Sequence, residues 1–352
     1  MAKIGVGLDI GANSIKVVEL QGGLKPRLNR FGKAVLPEDA LNAGEIKDRE
    51  LVGKVIKELF AKTKIASKRV VIAVAGQAAI IRHIKMPLME DSEIANAIYW
   101  EAERYIPFPV DEVTLDFKVI KRYGDQNEMD VLMVCARNDI IYSHVETLRD
   151  IGLQTVAVDV QTFSLMRTAG LEGTNTEGAV ALLDIGFETS DLMILKDGIP
   201  LFTRVIPLAG NRFTKTIAAN LGISSEEAEE IKMNKIDALS QSDATQFGSL
   251  EAKANFAMQE GLKEMALEIR RSFDYFHLQE RNEEVNRLII NGGGSLLPNL
   301  AAFLNRELGI DVINCGLPQG ISVSKKFKLK IEEELPFYGV ALGLAMREVI
   351  PE

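Results

Sequence analysis

Two short stretches of this chain repeat the same chemically useful residues. "GLDIGANSIKVVEL" runs from Gly7 to Leu20, and "LLDIGFETSDLMIL" runs from Leu182 to Leu195. Each stretch brings an aspartate, Asp9 or Asp184, to the end of an apolar run and places a glycine two residues later. Successive backbone N–H groups in such a turn bind anions, and a carboxylate at the strand end can hold water on a magnesium ion. The repeat therefore predicts two facing hairpins that close on one polyphosphate.

The glycines also allow a plainer interpretation, because Asp-Ile-Gly is a common way for a strand to enter a turn. The small residues after the two aspartates are Gly11, Asn13 and Ser14 in the first stretch and Gly186, Thr189 and Ser190 in the second. Their matched places in two similar units favour a duplicated nucleotide-binding fold. A third stretch, "INGGGSLLPNL", sets three glycines between a strand and a helix, where backbone can lie against a ring or a phosphate. A bare run of this kind is also what a loose turn contains.

The elements around the two hairpins follow one order twice. The first half predicts strands over Ile4–Ile10, Ser14–Leu20 and about Leu28–Val35, a helix in "ELVGKVIKELFAK" and a buried strand in "RVVIAVAG". From about Val180 the strands "GAVALLDIG", "SDLMILKDG" and "PLFTRVIPL" lead into a helix, "GNRFTKTIAANLG", that ends at a glycine. The pattern predicts an α/β fold of two duplicated βββαβα lobes.

Between the halves lies an insertion with its own α/β pattern. Ser92 can cap a helix that continues through Tyr105, after which Pro107 and Pro109 end it. Strands in "VTLDFKVI" and "MDVLMVCAR" and a helix in "DIIYSHVETLRDIG" complete the insertion. The predicted domains are the first lobe (1–84), the inserted subdomain (85–158), the second lobe (159–213), a helical adenosine-side subdomain (214–285) and the completion of the second lobe (286–352).

The second half contains further helical patterns. "SSEEAEEIKMNK" predicts a helix with a serine cap and acids in its first turn, where the helix dipole favours them. "ALSQSDATQFGS" is polar and without periodicity, which predicts a loop, and a long helix is expected from about Glu251 to Gln279.

Composition narrows the class of protein. A chain of 352 residues favours two lobes, and a net charge of −9 argues against nucleic-acid binding and polybasic membrane anchoring. The two cysteines, Cys135 and Cys315, lack metal or redox spacing, and the three histidines are scattered singly. The stretch "MAKIGVGLDI" lacks the apolar core of a signal peptide, and no window approaches about 18 consecutive apolar residues, so a cytoplasmic protein without direct membrane insertion is expected.

The segments Asp9–Lys16, Asp184–Ser190 and Gly292–Ser295, in this order and spacing, resemble the superfamily of actin, heat-shock ATPases and sugar kinases. Within that superfamily the chain is most similar to the type IV pilus assembly proteins of the PilM family, relatives of the cell-division protein FtsA. Five stretches support this narrower resemblance: "GLDIGANSIKVVEL", "YWEAERYIPFPVDEV", "PLAGNRFTKTIA", "SSEEAEEIK" and "INGGGSLLPNL". The resemblance covers nearly the whole chain and implies an actin-like ATPase fold with an inserted subdomain of the FtsA and PilM type.

The resemblance also implies an ATP and Mg²⁺ site. It assigns Asp9–Lys16 as the phosphate-1 hairpin, Asp184–Ser190 as the phosphate-2 hairpin and Gly292–Ser295 as the adenosine turn. The implied nucleotide contacts are Gly11, Asn13, Ser14, Lys16, Gly186, Thr189, Ser190, Gly210, Asn211, Glu229, Lys232, Gly292, Gly293, Gly294 and Ser295, with Asp9 and Asp184 at the metal. Glu229 and Lys232 are also spaced for an ordinary solvated helical ion pair, so their role as an adenosine clamp stays open.

Hydrolysis of ATP needs a group that orients or deprotonates water. The resemblance places that group at Gln161, with Asp159 as the second candidate and Asp9 and Asp184 as the catalytic carboxylates at the metal. A neutral amide orients water but is a weak base. We therefore expect slow hydrolysis at most, or ATP-dependent locking of the lobes.

The insertion carries the aromatic and proline residues that suit a groove for an extended peptide. Trp100, Tyr105, Ile106 and Phe108 are the predicted groove residues, although each can equally fill the core of the insertion. The resemblance implies that this groove, between the first lobe and the insertion, captures the cytoplasmic N-terminal peptide of a PilN-like bitopic inner-membrane protein.

The resemblance thus implies a cytoplasmic adapter at the inner membrane, held there through protein partners, in a type IV pilus or related type II secretion platform. A PilO-like protein and the pilus motor ATPases are further partners that it suggests, and self-association stays open because filament contacts have no readable motif. The alternative function is a small-molecule kinase or phosphatase of sugar or acetate type on the same fold.

Overall fold

The fold is taken from a computed structural model, which describes residues 3–37, 39–240, 249–280 and 283–350. The greater part of the predicted polar loop "ALSQSDATQFGS", residues 241–248, lies outside the described residues.

The elements are numbered in chain order. The strands are β1 (Ile4–Ile10), β2 (Ser14–Gln21), β3 (Arg27–Val35), β4 (Leu41–Asn42), β5 (Glu45–Ile46), β6 (Arg69–Val74), β7 (Ala79–Pro87), β8 (Val113–Tyr123), β9 (Glu128–Arg137), β10 (Gln154–Val160), β11 (Ala179–Ile185), β12 (Ser190–Lys196), β13 (Ile199–Ile206), β14 (Val285–Asn291), β15 (Asp311–Asn314) and β16 (Ser322–Val323). The helices are α1 (Arg49–Thr63), α2 (Asp91–Ala102), α3 (Asn138–Asp150), α4 (Gln161–Thr168), α5 (Gly210–Leu221), α6 (Ser225–Lys235), α7 (Leu250–Gln279), α8 (Leu300–Leu308) and α9 (Lys325–Val349).

Two mixed sheets form the two lobes. The first has the order β10-β6-β1-β2-β3-β16 and the second the order β13-β12-β11-β14-β15. In each sheet three consecutive strands are antiparallel, and the first of them pairs in parallel with a later strand, β6 or β14. The predicted duplication is therefore confirmed, and it sets the β1–β2 and β11–β12 hairpins at matched places.

Each sheet is buried because helices cover it. The cores on the two sides of the first sheet contain Val17 with Ile56 of α1, and Val18 with Leu342 of α9. In the second lobe, Leu183 of β11 shares a core with Met265 of α7. The alternating apolar residues of each hairpin thus pack in two directions, which holds the turns at the strand ends.

Helix α9 lies unusually close to the first sheet and to α4. A Cβ at Gly7 of β1 would overlap the carbonyl oxygen of Ala341, and a Cβ at Gly343 would overlap that of Ser164 in α4. Only glycine permits this approach of backbone to backbone. Because β16 also pairs with β3, the chain after about residue 322 belongs to the first sheet, although it was predicted to complete the second lobe.

The insertion is a three-stranded sheet of order β7-β9-β8, covered by α2. The predicted boundary after residue 84 falls inside β7, and the one after residue 158 falls inside β10 of the first sheet. Sheet membership therefore limits the insertion to about residues 79–137.

The predicted bounds of the helix in the insertion were wrong at both ends. Helix α2 begins at Asp91, and its Glu93 carboxylate accepts a hydrogen bond from the Glu90 N–H at 3.3 Å, so Ser92 is not the cap. The helix ends at Ala102, because the next N–H groups, including that of Tyr105, turn back on Glu101 and Ala102 ahead of the prolines. No helix among the described ranges is long and apolar enough to cross a bilayer.

Candidate functional site

A cleft of about 460 Å³ lies between the two sheets. This volume is in the range of small-ligand sites. Fifteen of the predicted residues line it: Asp9, Gly11, Asn13, Ser14, Lys16, Gln161, Asp184, Gly186, Thr189, Gly210, Glu229, Lys232, Gly292, Gly293 and Gly294. Residues predicted from separate parts of the chain, between positions 9 and 294, therefore meet at one place.

The phosphate-1 hairpin turns tightly at Gly11, whose N–H donates to the Ser14 carbonyl oxygen at 3.1 Å. Asp9 is almost fully buried, and its carboxylate lies 3.2 Å from the Lys16 Nζ. The Gln161 Nε2 donates to the other carboxylate oxygen of Asp9 at 3.2 Å. The first residue of α4 is thereby held against the hairpin, where an amide can orient a water molecule.

The phosphate-2 hairpin repeats this turn from the other lobe. The Gly186 N–H donates to the Thr189 carbonyl oxygen at 3.0 Å, and the Asn291 Nδ2 donates to the Asp184 carboxylate at 3.0 Å. Burial raises the pKa of Asp184 to about 6, against the opposing effect of the Asn291 hydrogen bond. The negative charge of Asp9 raises this pKa further and the positive charge of Lys16 lowers it.

A third aspartate, Asp191, lines the cleft and was missed from the sequence. It lies opposite Asp184 in the β11–β12 ladder, just as Lys16 lies opposite Asp9 in the β1–β2 ladder. Burial, and then the charge of Asp184, raises the pKa of Asp191 to about 7, and its buried Oδ1 has no hydrogen-bond partner among the described residues. The signal was present in the repeat, since Asp191 takes the position of Lys16.

The raised pKa of Asp191 predicts a pH-dependent stability. The folded state binds a proton at this carboxyl more tightly than the unfolded state, so its contribution is full below about pH 4 and is lost as the pH rises to about 7. Asp191→Asn removes the ionising group. We expect denaturant unfolding to show a gain for the variant of about 4 kcal/mol at pH 8 and less than half of that gain at pH 5.

The matched control is Asp125→Asn, which removes the same charge from an exposed turn of the insertion. It should leave the stability difference between pH 5 and pH 8 unchanged. An Asp191→Asn variant that is no more stable than the parent protein at pH 8 would contradict the account of a buried carboxyl with a raised pKa.

Three of the predicted nucleotide contacts lie outside the lining of the cleft. Ser190 is opposite Ile185, as Ile15 is opposite Ile10, so it faces the core, and its hydroxyl donates to the Leu208 carbonyl oxygen at 2.6 Å. The Ser295 hydroxyl is buried and donates to the Gly292 carbonyl oxygen at 2.8 Å. Asn211 lies in the first turn of α5, where its N–H donates to the Phe187 carbonyl oxygen at 2.8 Å.

The predicted pair on α6 is more than a solvated ion pair. The Lys232 Nζ lies 2.6 Å from the Glu229 carboxylate and also donates to the Gly210 carbonyl oxygen at 3.0 Å and to the Thr214 hydroxyl at 2.8 Å. Burial lowers the pKa of Lys232, and the Glu229 charge opposes that effect. The network ties α6 to the start of α5, while the half-exposed Glu229 faces the cleft.

The adenosine turn depends on its glycines. Gly292 has a φ of +85°, and a Cβ on it would overlap the Ile185 carbonyl oxygen at the end of β11. A Cβ on Gly293 would come 2.8 Å from the Phe337 ring of α9. The triple glycine therefore brings a bare stretch of backbone to the cleft between β11 and α9.

Asp159, the second candidate for activating water, is turned away from the cleft. Its carboxylate accepts from Arg167 at 2.6 Å and from Arg347 at 3.3 Å, and it does not line the cleft. Its role is to tie β10 to α4 and α9. Across the described parts of the chain, no group of three or more histidine, cysteine, aspartate or glutamate side chains is arranged to hold a metal on its own.

The predicted groove residues divide into surface and core. Trp100 is 72% exposed, and Tyr105 and Phe108 are also exposed, with the Arg137 guanidinium 5.4 Å from the Phe108 ring centroid. Ile106 is buried in the core of the insertion and presents no side-chain surface to a partner. The insertion thus displays an exposed aromatic surface.

Comparison with known proteins then decides the family. The family model described as "Type IV pilus assembly protein PilM" matches residues 7–349. This chain belongs to the PilM family of type IV pilus assembly proteins. A solved structure described as the PilM-PilN type IV pilus biogenesis complex is 32% identical, with a TM-score of 0.84 over 99% of this chain and 99% of that one.

More distant proteins share the fold of this PilM family member. Cell division protein FtsA of Escherichia coli K12 is 24% identical over 97% of this chain and 89% of its own length. The structure of MreB 5 of Spiroplasma citri, bound to AMPPNP, has a TM-score of 0.55 at 12% identity and covers 99% of this chain and 96% of its own. EutJ of Carboxydothermus hydrogenoformans has a TM-score of 0.60 at 15% identity over 97% of this chain and 89% of its own. These likenesses establish the actin-like ATPase fold.

Proposed function

We propose that this PilM family member is an ATP-binding adapter of the inner-membrane platform of a type IV pilus or related type II secretion machine. Its insertion binds the cytoplasmic N-terminal peptide of a PilN-like membrane protein. The observation that carries the proposal is the 32% identity, over 99% of both chains, to the solved PilM-PilN complex.

The charge around the aromatic surface supports a peptide of this kind. Between positions 90 and 116 the chain has eight acidic residues and one basic residue, Arg104. Cytoplasmic segments next to a membrane span carry an excess of lysine and arginine. A peptide with apolar side chains for the exposed rings and basic side chains for the acidic residues of this segment therefore suits the insertion in both respects.

The residues of the cleft fit ATP with magnesium. Asp9 and Asp191 are buried and Asp184 is partly buried, and the Asp191 Oδ1 has no hydrogen-bond partner among the described residues. Carboxylates of this kind hold a hydrated magnesium ion, which takes few protein ligands directly. The turns at Gly11 and Gly186 present backbone N–H groups to phosphates. Magnesium, when bound, would neutralise phosphate charge, while Lys16 supplies a fixed cation beside it.

Slow hydrolysis at most is part of the proposal. Gln161 is held against Asp9 and can orient a water molecule, but its amide is a weak base, and Asp159 is engaged by two arginines. ATP therefore serves mainly to fix the two lobes against each other. A PilO-like protein, pilus motor ATPases and self-association are further proposed contacts of the adapter, which would sit in the cytoplasm against the inner membrane through its partners.

Trp100→Ala is expected to weaken binding of the partner peptide about tenfold or more. A large exposed aromatic side chain at the centre of an interface is the type of residue that dominates binding energy. Because Trp100 is 72% exposed, the substitution should leave the thermal midpoint unchanged. Isothermal titration calorimetry measures the affinity of the parent protein and of Trp100→Ala for a synthetic peptide with the sequence of the cytoplasmic N-terminus of the PilN-like protein.

Leu278→Ala is the matched control, since this α7 side chain is 80% exposed but lies in the second lobe. It should bind the peptide as the parent protein does. Equal peptide affinity for the parent protein and for Trp100→Ala would show that the peptide does not bind at the aromatic surface.

The whole proposal is tested by titrating the peptide with and without ATP and magnesium. If the sites are coupled, ATP and the peptide must change each other's affinity by the same factor. A protein that binds no peptide in either condition, yet consumes ATP when offered a sugar or acetate, would be a small-molecule kinase instead.

A further inference from the structure

A row of three charged residues crosses the first sheet where it faces the cleft. Lys16 of β2 lies directly opposite Asp9 of β1 on one side and opposite Lys33 of β3 on the other. Residues directly opposite each other in antiparallel strands project from the same face of the sheet. Asp9, Lys16 and Lys33 therefore point the same way, and all three line the cleft.

The charges in this row do not balance. The Lys16 Nζ is paired with the Asp9 carboxylate at 3.2 Å, whereas Lys33 has no ion-pair partner among the residues that the structure describes. Two like charges directly opposite each other in a sheet are destabilising. Without a ligand, a second lysine at this position therefore destabilises the protein. An anion bound beside both lysines would offset the repulsion between them.

The ammonium group of Lys33 is nevertheless held in place. The side chain is exposed, but its Nζ lies 3.6 Å from the centroid of the Phe337 ring of α9, a cation–π contact. Partial burial lowers the pKa of Lys33, the positive charges of Lys330 and Lys16 lower it further, and Glu334 opposes them. Phe337 also borders Gly293 of the adenosine turn, so Lys33 is positioned at the mouth of the cleft, between that turn and the phosphate-1 hairpin.

We propose that Lys33 is a second cationic ligand for the phosphates of the bound nucleotide, beside Lys16 and oriented by the Phe337 ring. A lysine on a flexible stem can reach a phosphate as a point charge without a fixed geometry. Its contribution grows with the number of phosphates, so it favours ATP over AMP and adenosine. The inference rests on the nucleotide binding proposed above.

The test compares the affinities of the full-length protein for ATP, AMP and adenosine in the presence of magnesium. Lys33→Gln should weaken ATP binding about tenfold, the size of one charge-assisted hydrogen bond, and leave adenosine binding within about twofold. Lys33→Arg should retain most of the ATP affinity. Lys330→Gln is the matched control, because it removes the same charge from the adjacent part of α9, and its effect on ATP binding should stay within about twofold.

A measurement of stability separates the proposed role of Lys33 from a structural one. If Lys33 is a phosphate ligand, Lys33→Gln removes only its repulsion with Lys16, so the denaturation midpoint should equal or exceed that of the parent protein. Equal ATP affinity for Lys33→Gln and the parent protein, an equal loss of adenosine and ATP binding, or an equal effect of Lys330→Gln would each overturn the proposal. A parent protein that binds the partner peptide but no ATP would overturn both this inference and the nucleotide half of the proposed function.

Discussion

Asp9→Ala and Asp184→Ala are each expected to lower the affinity for ATP about tenfold or more when magnesium is present. Each removes a carboxylate at the end of a hairpin strand, which is buried at Asp9 and partly buried at Asp184, and hydrogen bonds to charged groups contribute about 1.5–3 kcal/mol. Asp9→Ala also frees Lys16 and Gln161, which both bind that carboxylate. Titration with ATP, with magnesium or with a chelator, measures the effect.

The chelator separates a metal role from a structural one. If the carboxylates act through magnesium, the difference between each variant and the parent protein should nearly vanish when the metal is removed. Asp125→Ala, an equal change of charge at an exposed turn, should bind ATP normally. Unchanged magnesium-dependent affinity in both Asp9→Ala and Asp184→Ala would show that the cleft does not hold a metal nucleotide in the proposed way.

Gly343→Ala is expected to destabilise the fold by about 3 kcal/mol or more. Its methyl group would overlap the Ser164 carbonyl oxygen and press on the Thr168 hydroxyl. The overlapped atom belongs to the backbone, which cannot move away by a change of side-chain rotamer. The loss of stability should therefore reach the upper part of the range found for overpacked cores. The shift of α4 against α9 should also displace Gln161 and weaken ATP binding. Chemical denaturation and ATP titration together measure the two effects.

Gly124→Ala provides the control, since nothing lies within 4 Å of a Cβ at that turn. Its unfolding midpoint should match that of the parent protein. A Gly343→Ala variant as stable as Gly124→Ala would mean that α9 and α4 are not held in the close contact described above.

Local sequence patterns predicted much of this architecture correctly. The strands of both hairpins, the glycine that ends α5 and the serine cap of α6 follow from alternation and capping, which depend on neighbours a few residues apart. The same patterns were wrong about the bounds of α2. Ser92 is a good cap by type, but Glu90 is the cap, two residues earlier, and it pairs with Glu93.

The predicted phosphate contacts show where local pattern stops being sufficient. Thr189 and Ser190 are both small and polar, yet only Thr189 lines the cleft, because the β11–β12 register turns Ser190 into the core. The same register brings Asp191 to the cleft, although an aspartate at this position did not by itself predict a residue of the site. A shift of one residue exchanges the two faces of a strand, so only the observed strand pairing tells which of the two side chains lines the cleft.

By itself, the sequence determined the duplicated α/β lobes, the two glycine hairpins and the resemblance to the PilM family, since all of these are written in contiguous stretches. Tertiary structure alone decided which polar groups are buried together. The raised pKa values of Asp184 and Asp191, the place of Lys33 over Phe337 and the need for glycine at position 343 arise from residues far apart in the chain. Burial and close approach are properties of the assembled lobes, so no window of sequence contains them.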